Sequence, residues 1–98
     1  MKKNNKFRLD DKITFVLGGL GLLGSSISKL FLDYGSKVII LDINKKYFNK
    51  FINKYMISSE NIFFENFDCT KLSLLETKLE KIVDKYECPS VFVNSSYP

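Results

Sequence analysis

The feature that most constrains this chain is a glycine loop, Gly18-Gly19-Leu20-Gly21-Leu22-Leu23-Gly24, which directly follows a short apolar run at residues 12–17. That run is rich in β-forming residues and predicts a buried strand. Apolar residues then recur at helical spacing from Leu23 to Tyr34, and Gly35 stands where a helix C-cap belongs. A strand, a glycine turn and a helix in this order are typical of the phosphate-binding corner of dinucleotide-binding α/β folds.

The rest of the chain continues the alternation of strands and helices. Further apolar strand segments are predicted at 37–42, 61–65 and 90–93. Asn44 is predicted to cap a second helix, and the capping-box spacing of Ser73-Leu74-Leu75-Glu76 predicts the start of a third helix, which Pro89 ends. Unbroken apolar strands indicate a parallel sheet that is covered on both faces. We therefore predict an α/β fold, a three-layer doubly wound Rossmann sheet of strand order 3-2-1-4, truncated after about the fourth strand.

The glycine loop has a physical purpose in such a fold. Glycine lets the chain turn sharply and lets a pyrophosphate approach without a Cβ in the way, while the helix N-terminus offers free N–H groups and partial positive charge. A glycine triplet alone is weak evidence, because turns are rich in glycine. An acid at the end of the next strand strengthens it, and Asp42 is that acid, eighteen residues after Gly24.

Asp42 also bears on which dinucleotide is bound. Its carboxylate can accept both ribose hydroxyls of the adenosine, and it repels a 2′-phosphate. Leu20 supplies no positive charge for a 2′-phosphate, so NAD is predicted as the cofactor. NADP is not excluded, because Lys45 and Lys46 follow closely. An alternative role for Asp42 is to cap the next helix, and the two roles are compatible.

The positive charge of the chain is concentrated at its start. Four of the fifteen Lys and Arg residues lie within residues 1–8, and the remaining eleven balance the eleven Asp and Glu residues. A basic start on a neutral domain argues against a nucleic-acid partner. A chain of 98 residues has room for one domain. We therefore assign a polar basic tail to residues 1–10 and an NAD(P)-binding Rossmann domain to residues 11–98.

Location is predicted from the lack of targeting signals and from the cysteines. Residues 1–8 are not followed by the apolar run of a secretory signal, and no apolar run approaches the roughly 18 residues of a membrane span. The predicted elements place Cys69 and Cys88 at opposite ends of parallel strands, too far apart for a disulfide. A cytoplasmic protein without a membrane partner is therefore expected.

Four motifs, in order along the chain, resemble those of the short-chain dehydrogenases/reductases. They are the loop at 16–24, Leu41-Asp42, Asp68-Cys69-Thr70 and Val93-Asn94-Ser95-Ser96-Tyr97-Pro98. The glycine spacing is similar to that of extended, sugar-nucleotide-acting members, and the Tyr-Pro pair is similar to a subgroup linked to flagellin or surface-polysaccharide modification. The resemblance implies an NAD(P)-dependent oxidoreductase that transfers hydride between nicotinamide and an alcohol or carbonyl substrate, with a sugar-type substrate as one option.

The resemblance also implies roles for residues outside the glycine loop. Asp68 would contact the adenine amino group from the end of the third strand, and Cys69 would contribute its backbone. Asn94 would brace the sheet and line the cofactor site. Ile43 and Ser95 complete the predicted cofactor-binding set. The alternatives are a turn or cap role for Asp68 and a strand-end turn for Asn94.

Two departures from the family pattern concern the glycine loop and the fourth strand. Leu17 stands where the family usually has Thr, which predicts the loss of a side-chain hydrogen bond that stiffens the loop. Ser95 and Ser96 replace the usual Asn-Ala, which predicts a weaker brace at the end of the fourth strand.

The residues that carry the family's chemistry are missing from the 98 residues. The family uses a Tyr with a Lys four residues later, and none of the five tyrosines here has that Lys. The sequence also contains no His, so we assign no catalytic residue and no metal ligand. We therefore expect the cofactor-binding portion of a longer enzyme, inactive by itself, whose small-molecule substrate binds only to a full-length form.

Two other functions remain open at the level of sequence. One is a non-catalytic nucleotide-binding fragment or an inert remnant that no longer binds. The other is an S-adenosylmethionine methyltransferase, although such enzymes usually carry an acid just before the glycines, where this chain has Val16 and Leu17. The uncovered fourth strand in addition predicts self-association through an apolar edge.

Overall fold

The computed structural model describes residues 8–58, 60–68 and 70–95, and within them four strands alternate with three helices. The strands are β1 (Ile13–Leu17), β2 (Lys37–Asp42), β3 (Ile62–Asn66) and β4 (Val91–Asn94), and the helices are α1 (Leu22–Asp33), α2 (Lys45–Lys54) and α3 (Leu72–Tyr86). All strands pair in parallel in the order β3-β2-β1-β4. The predicted α/β fold and its strand order are confirmed.

The sheet separates two apolar cores, which makes the fold three-layered. Successive side chains of a strand point to opposite faces, so each strand supplies both cores. One core joins the sheet to α3, through Phe15, Ile39, Leu41, Phe67, Ile82 and Tyr86. The other joins the sheet to α1 and α2, through Val16, Val38, Ile40 and Phe51, with Phe31, Leu32 and Phe48 packed around them. Burial on both faces explains why the strands are unbroken apolar runs.

The strand order creates a crevice at the C-terminal end of β1. The chain leaves β1 through α1 toward β2 on one side, and it returns through α3 to β4 on the other side. The register places Leu17 opposite both Leu41 and Asn94, so the three strands end at the same edge. Open α/β sheets bind their ligands at such a topological switch point.

The start of α3 differs from the prediction. The helix begins at Leu72 with Lys71 in the cap position, and no side chain caps it, so the predicted capping box at Ser73 is wrong. The reason is the preceding turn, in which Asp68 accepts hydrogen bonds from the N–H and the hydroxyl of Thr70. That turn brings the chain into helical geometry before Ser73 is reached.

The described part of the predicted basic tail contacts the domain. The N–H of Leu9 donates to the carbonyl of Tyr34 at 2.7 Å, next to the end of α1. Arg8 donates to the carbonyl of Asp33 at 3.3 Å and forms an ion pair with Asp10 at 2.9 Å. The tail of residues 1–10 and the domain boundary after it stay predictions, since residues 1–7 lie outside the described residues. No helix in the described ranges has the length and apolar character needed to cross a bilayer.

Candidate functional site

An open groove of about 570 Å³ lies at the edge of the sheet where β1, β2 and β4 end. Its volume is within the range of small-molecule sites. Its lining is formed by Gly18, Gly21, Leu22, Leu23, Ser26, Asp42 and Ser95. The groove therefore brings together the glycine loop, the start of α1, the predicted acid and the end of β4.

The glycine loop needs glycine at two positions for different reasons. Gly18 has a φ of 71°, in the left-handed region, and its N–H donates to the carbonyl of Leu41 at 2.8 Å. Gly24 lets α1 approach the loop closely, because an added Cβ would clash with the Gly18 carbonyl oxygen and lie 2.6 Å from Ser95 Oγ. The first turn of α1 is thus packed directly on the loop, which leaves the loop backbone open toward the groove.

The N-terminus of α1 lines the groove through Gly21, Leu22 and Leu23. Gly21 is the N-cap residue and provides no side-chain cap, and the first turn, all of which the structure describes, contains no acidic residue. The first helical bond runs from the Ser25 N–H to the Gly21 carbonyl at 2.8 Å, so the N–H groups of Leu22 and Leu23 precede it. Together with the helix dipole, this arrangement favours an anion such as a phosphate.

Asp42, the last residue of β2, faces the same groove. Its Oδ2 accepts the backbone N–H of Leu20 at 3.0 Å, and its Oδ1 accepts the N–H of Ile43 at 2.7 Å. Each carboxylate oxygen retains a further lone pair, which is available to a ribose hydroxyl. The alternative role as a helix cap belongs to Asn44 instead, whose Oδ1 accepts the N–H of Lys46 at 2.9 Å.

Leu20 and Ile43 contribute to this site through their backbones. The side chain of Leu20 packs into the core beside α1 and α2 and does not line the groove. Its N–H, by contrast, fixes the Asp42 carboxylate. Ile43 donates its N–H to the Asp42 carboxylate, while its side chain is 60% exposed and is not part of the groove lining.

The structure does not bring Asp68 into the groove with Asp42. Asp68 follows β3 and lines a separate pocket of about 100 Å³ with Lys71 and Lys78. The hydroxyl of Thr70 at 2.6 Å and its N–H at 2.9 Å hold the pKa of the Asp68 carboxyl below its usual range. This geometry is that of a turn residue, and a contact of Asp68 with adenine stays a prediction.

Asn94 and Cys69 complete the set of predicted cofactor-binding residues. Asn94 ends β4 opposite Leu17 and is not part of the groove lining. Cys69 lies outside the described residues, as does the Ser96-Tyr97-Pro98 part of the fourth motif. Their predicted roles are therefore untested.

Ser95, at the end of β4, contacts the carbonyls at the start of the glycine loop. Its N–H donates to the carbonyl of Leu17 at 2.9 Å, and its hydroxyl lies 2.8 Å from the same oxygen and 3.1 Å from the carbonyl of Gly18. No local sequence signal points to this contact, because Ser95 and Leu17 are 78 positions apart.

Comparison with known proteins finds relatives that match most of the chain. No protein-family model matches the chain. The "Post-translational flagellin modification protein A" of Campylobacter coli is 31% identical over 93 residues, which cover 92% of this chain and 36% of that protein. The "Short chain dehydrogenase/reductase dpchG" of Colletotrichum higginsianum is 28% identical over 94 residues, which cover 96% of this chain and 35% of that protein.

Over nearly its whole length the chain is similar to short-chain dehydrogenases/reductases. The crystal structure of 2-keto-3-deoxy-D-gluconate dehydrogenase from Streptococcus agalactiae has the same fold, with a TM-score of 0.77 and 22% identity over 94% of this chain and 35% of the other. These similarities confirm the predicted resemblance to the short-chain dehydrogenases/reductases. The chain spans about a third of the length of the short-chain dehydrogenase/reductase relatives that it matches.

Proposed function

We propose that this chain binds a nicotinamide dinucleotide, NAD in preference to NADP, in the groove where β1, β2 and β4 end. The observation that carries the proposal is the Asp42 carboxylate, which the N–H groups of Leu20 and Ile43 hold beside the N-terminus of α1. A carboxylate that can accept hydrogen bonds from ribose hydroxyls thus lies next to backbone N–H groups that can donate hydrogen bonds to phosphates.

The residues at the groove match what a dinucleotide requires. The absence of a Cβ at Gly24 lets α1 approach the loop. The N–H groups of Leu22 and Leu23, at the start of α1, are the donors that we propose for the pyrophosphate. Leu22 is 90% exposed and Leu23 is 64% exposed. Apolar side chains this exposed in a groove that also contains the Asp42 carboxylate are expected at a binding site, where a ligand covers them.

The preference for NAD follows from charge. The 2′-phosphate of NADP would bring negative charge to the position where Asp42 accepts the ribose hydroxyls, so the two would repel each other. Lys45 and Lys46 are exposed on the first turn of α2 and do not line the groove. Among the described residues that line the groove, Asp42 is therefore the one with a charged side chain.

For the whole protein we propose the reaction class of the family, hydride transfer between nicotinamide and an alcohol or carbonyl. The bound cofactor would supply or accept the hydride. The 98 residues contain no Tyr followed four residues later by Lys. The part proposed for these residues is therefore to bind and orient the cofactor, while a sugar-type substrate and a cytoplasmic location stay predictions.

The experiment is a calorimetric titration of NAD into the chain, with folding checked by circular dichroism. We expect saturable binding with one site per chain and a dissociation constant that rises about tenfold or more in Asp42→Ala. Asp84→Ala is the matched control, because it removes the same charge from an exposed position on α3. A folded sample that does not bind NAD would contradict the proposal and support the inert-remnant alternative.

A further inference from the structure

Serine hydroxyls make hydrogen bonds to three successive carbonyls where β1 meets the glycine loop, those of Leu17, Gly18 and Gly19. The hydroxyl of Ser95 lies 2.8 Å from the Leu17 carbonyl and 3.1 Å from the Gly18 carbonyl. The buried hydroxyl of Ser28 donates to the Gly19 carbonyl at the longer distance of 3.4 Å. Because hydrogen bonds weaken with distance, the 2.8 Å contact from the Ser95 hydroxyl to the Leu17 carbonyl is the strongest of the three.

Ser95 connects the loop to β4 at the place where residue 17 cannot do so. The side chain of Leu17 is apolar and packs into the core that faces α3. The hydroxyl at the junction of β1 with the loop comes instead from the end of the neighbouring strand β4, where Ser95 is half-buried.

The position of Ser95 also couples the loop to the start of α1. A Cβ added at Gly24 would lie 2.6 Å from Ser95 Oγ and 2.9 Å from the Cα of Gly19, so these groups are closely packed. The carbonyl of Gly18 in addition accepts the N–H of Gly21, the N-cap residue of α1, at 3.2 Å. A shift of the Gly18 carbonyl would thus move the backbone that faces the groove.

We infer that Ser95 is a positioning residue for the glycine loop: its hydroxyl holds the Leu17 and Gly18 carbonyls so that the N-terminus of α1 is ordered before a dinucleotide binds. The part that concerns the dinucleotide rests on the proposed function. The part that concerns loop order does not, because it is observable in the chain alone.

The experiment compares Ser95→Ala with Ser95→Thr, which keeps the hydroxyl. Backbone hydrogen exchange without ligand is expected to speed up about five- to tenfold at the Gly21 amide in Ser95→Ala and to stay near the wild-type rate in Ser95→Thr. The amides of Val16 and Ile40 in the sheet core serve as internal references. If Ser95→Ala is too unstable to measure, Ser95→Cys keeps the side-chain size with a weaker donor and is expected to act in the same direction.

Ser25→Ala is the matched control, because the Ser25 hydroxyl also donates to a backbone carbonyl, that of Leu22, at 3.1 Å. It is expected to leave the Gly21 exchange rate unchanged. Unchanged exchange in Ser95→Ala, or acceleration that Ser95→Thr does not reverse, would overturn the inference. In parallel, the dissociation constant for NAD is expected to rise about five- to tenfold in Ser95→Ala and to recover in Ser95→Thr.

The two proposals fail in different ways. If the wild-type chain does not bind NAD but the Gly21 amide exchanges faster in Ser95→Ala, the proposed function is wrong and the brace stands. If NAD binds to the wild type and to Ser95→Ala with equal affinity and loop exchange is also unchanged, the brace is wrong and the proposed function stands.

Discussion

The Oδ2 atom of Asp42 accepts the backbone N–H of Leu20 at 3.0 Å and so connects the end of β2 to the glycine loop that follows β1. The other oxygen of the same carboxylate accepts the N–H of Ile43 at 2.7 Å. Asp42 therefore orders the loop in the chain itself, in addition to its proposed contact with the ribose. Substitutions at this position have two effects, which different replacements can separate.

Asp42→Ala is expected to lower the free energy of unfolding by about 1–3 kcal/mol in the absence of any ligand, because it removes the acceptor of two backbone N–H groups. Asp42→Asn keeps one acceptor oxygen and is expected to lose less. Urea unfolding measures both variants, with Asp84→Ala as the control. A variant Asp42→Ala that is as stable as the control would show that these hydrogen bonds do not support the loop.

Gly24→Ala is expected to lower the free energy of unfolding by about 1–3 kcal/mol and to weaken NAD binding more than about tenfold. The added methyl group would fall on the Gly18 carbonyl and displace the loop from α1. Gly21→Ala is the control for stability, since its added Cβ meets the Gly18 carbonyl at an ordinary 3.6 Å. Equal stability of the two variants would contradict the close packing at Gly24.

The stability of the fold is expected to depend on the ionisation of Glu65 in β3. Partial burial pushes the pKa of the Glu65 carboxyl upward, but hydrogen bonds from Lys85 at 2.8 Å and Tyr86 at 2.5 Å outweigh it, so that this pKa lies below its ordinary value. A lowered folded-state pKa stabilises the fold at pH values above the unfolded pKa of about 4.3, and this contribution is lost as the pH falls through the folded value.

We therefore expect the wild type to exceed Glu65→Gln in free energy of unfolding by about 1 kcal/mol at pH 6, and the difference to disappear between about pH 4.5 and pH 3. Tyr86→Phe removes one of the two donors and should reduce the acid dependence. Glu80→Gln, at an exposed position of α3, controls for the loss of a carboxylate. A constant difference between wild type and Glu65→Gln over this pH range would refute the role of the ion pair.

The edge of β4 is expected to support self-association. In the described part of the chain β4 pairs with β1 alone, and Phe92 is 47% exposed although its ring lies 6.3 Å from that of Phe15. An unpaired apolar edge offers backbone N–H and carbonyl groups to a second copy. Sedimentation velocity should show concentration-dependent association that Phe92→Lys reduces. A monodisperse monomer at about 100 µM, a concentration at which such weak contacts form, would contradict this expectation.

The sequence predicts the parts of the fold whose signals are local. The strand β2 is found at residues 37–42 as predicted, and β3 and β4 begin and end one residue later than predicted. Burial on both faces produces long apolar runs, so the strands are easy to locate while their exact ends are not. The predicted start of α3 at Ser73 was wrong, because the turn formed by Asp68 and Thr70 competes with the capping box.

For the candidate site, too, the sequence predicts the features whose signals are local and misses the contacts between distant residues. Glycine spacing and the acid at the end of β2 locate the groove, since both follow from neighbouring residues in the chain. The brace from Ser95 could not be predicted, because it depends on a register contact between β1 and β4 that joins residues 78 positions apart. The inward packing of the Leu20 side chain likewise becomes visible only when α1 and α2 are placed together.

The preference for NAD is tested by the ratio of the dissociation constants for NADP and NAD, measured by calorimetry for the wild type and for Asp42→Asn. We expect the wild type to bind NAD about tenfold or more tightly than NADP, and the ratio to fall toward one in Asp42→Asn, which removes the charge but keeps an acceptor oxygen. Asp84→Asn should keep the wild-type ratio. A folded wild type that binds neither dinucleotide, or a ratio that Asp42→Asn leaves unchanged, would contradict the account.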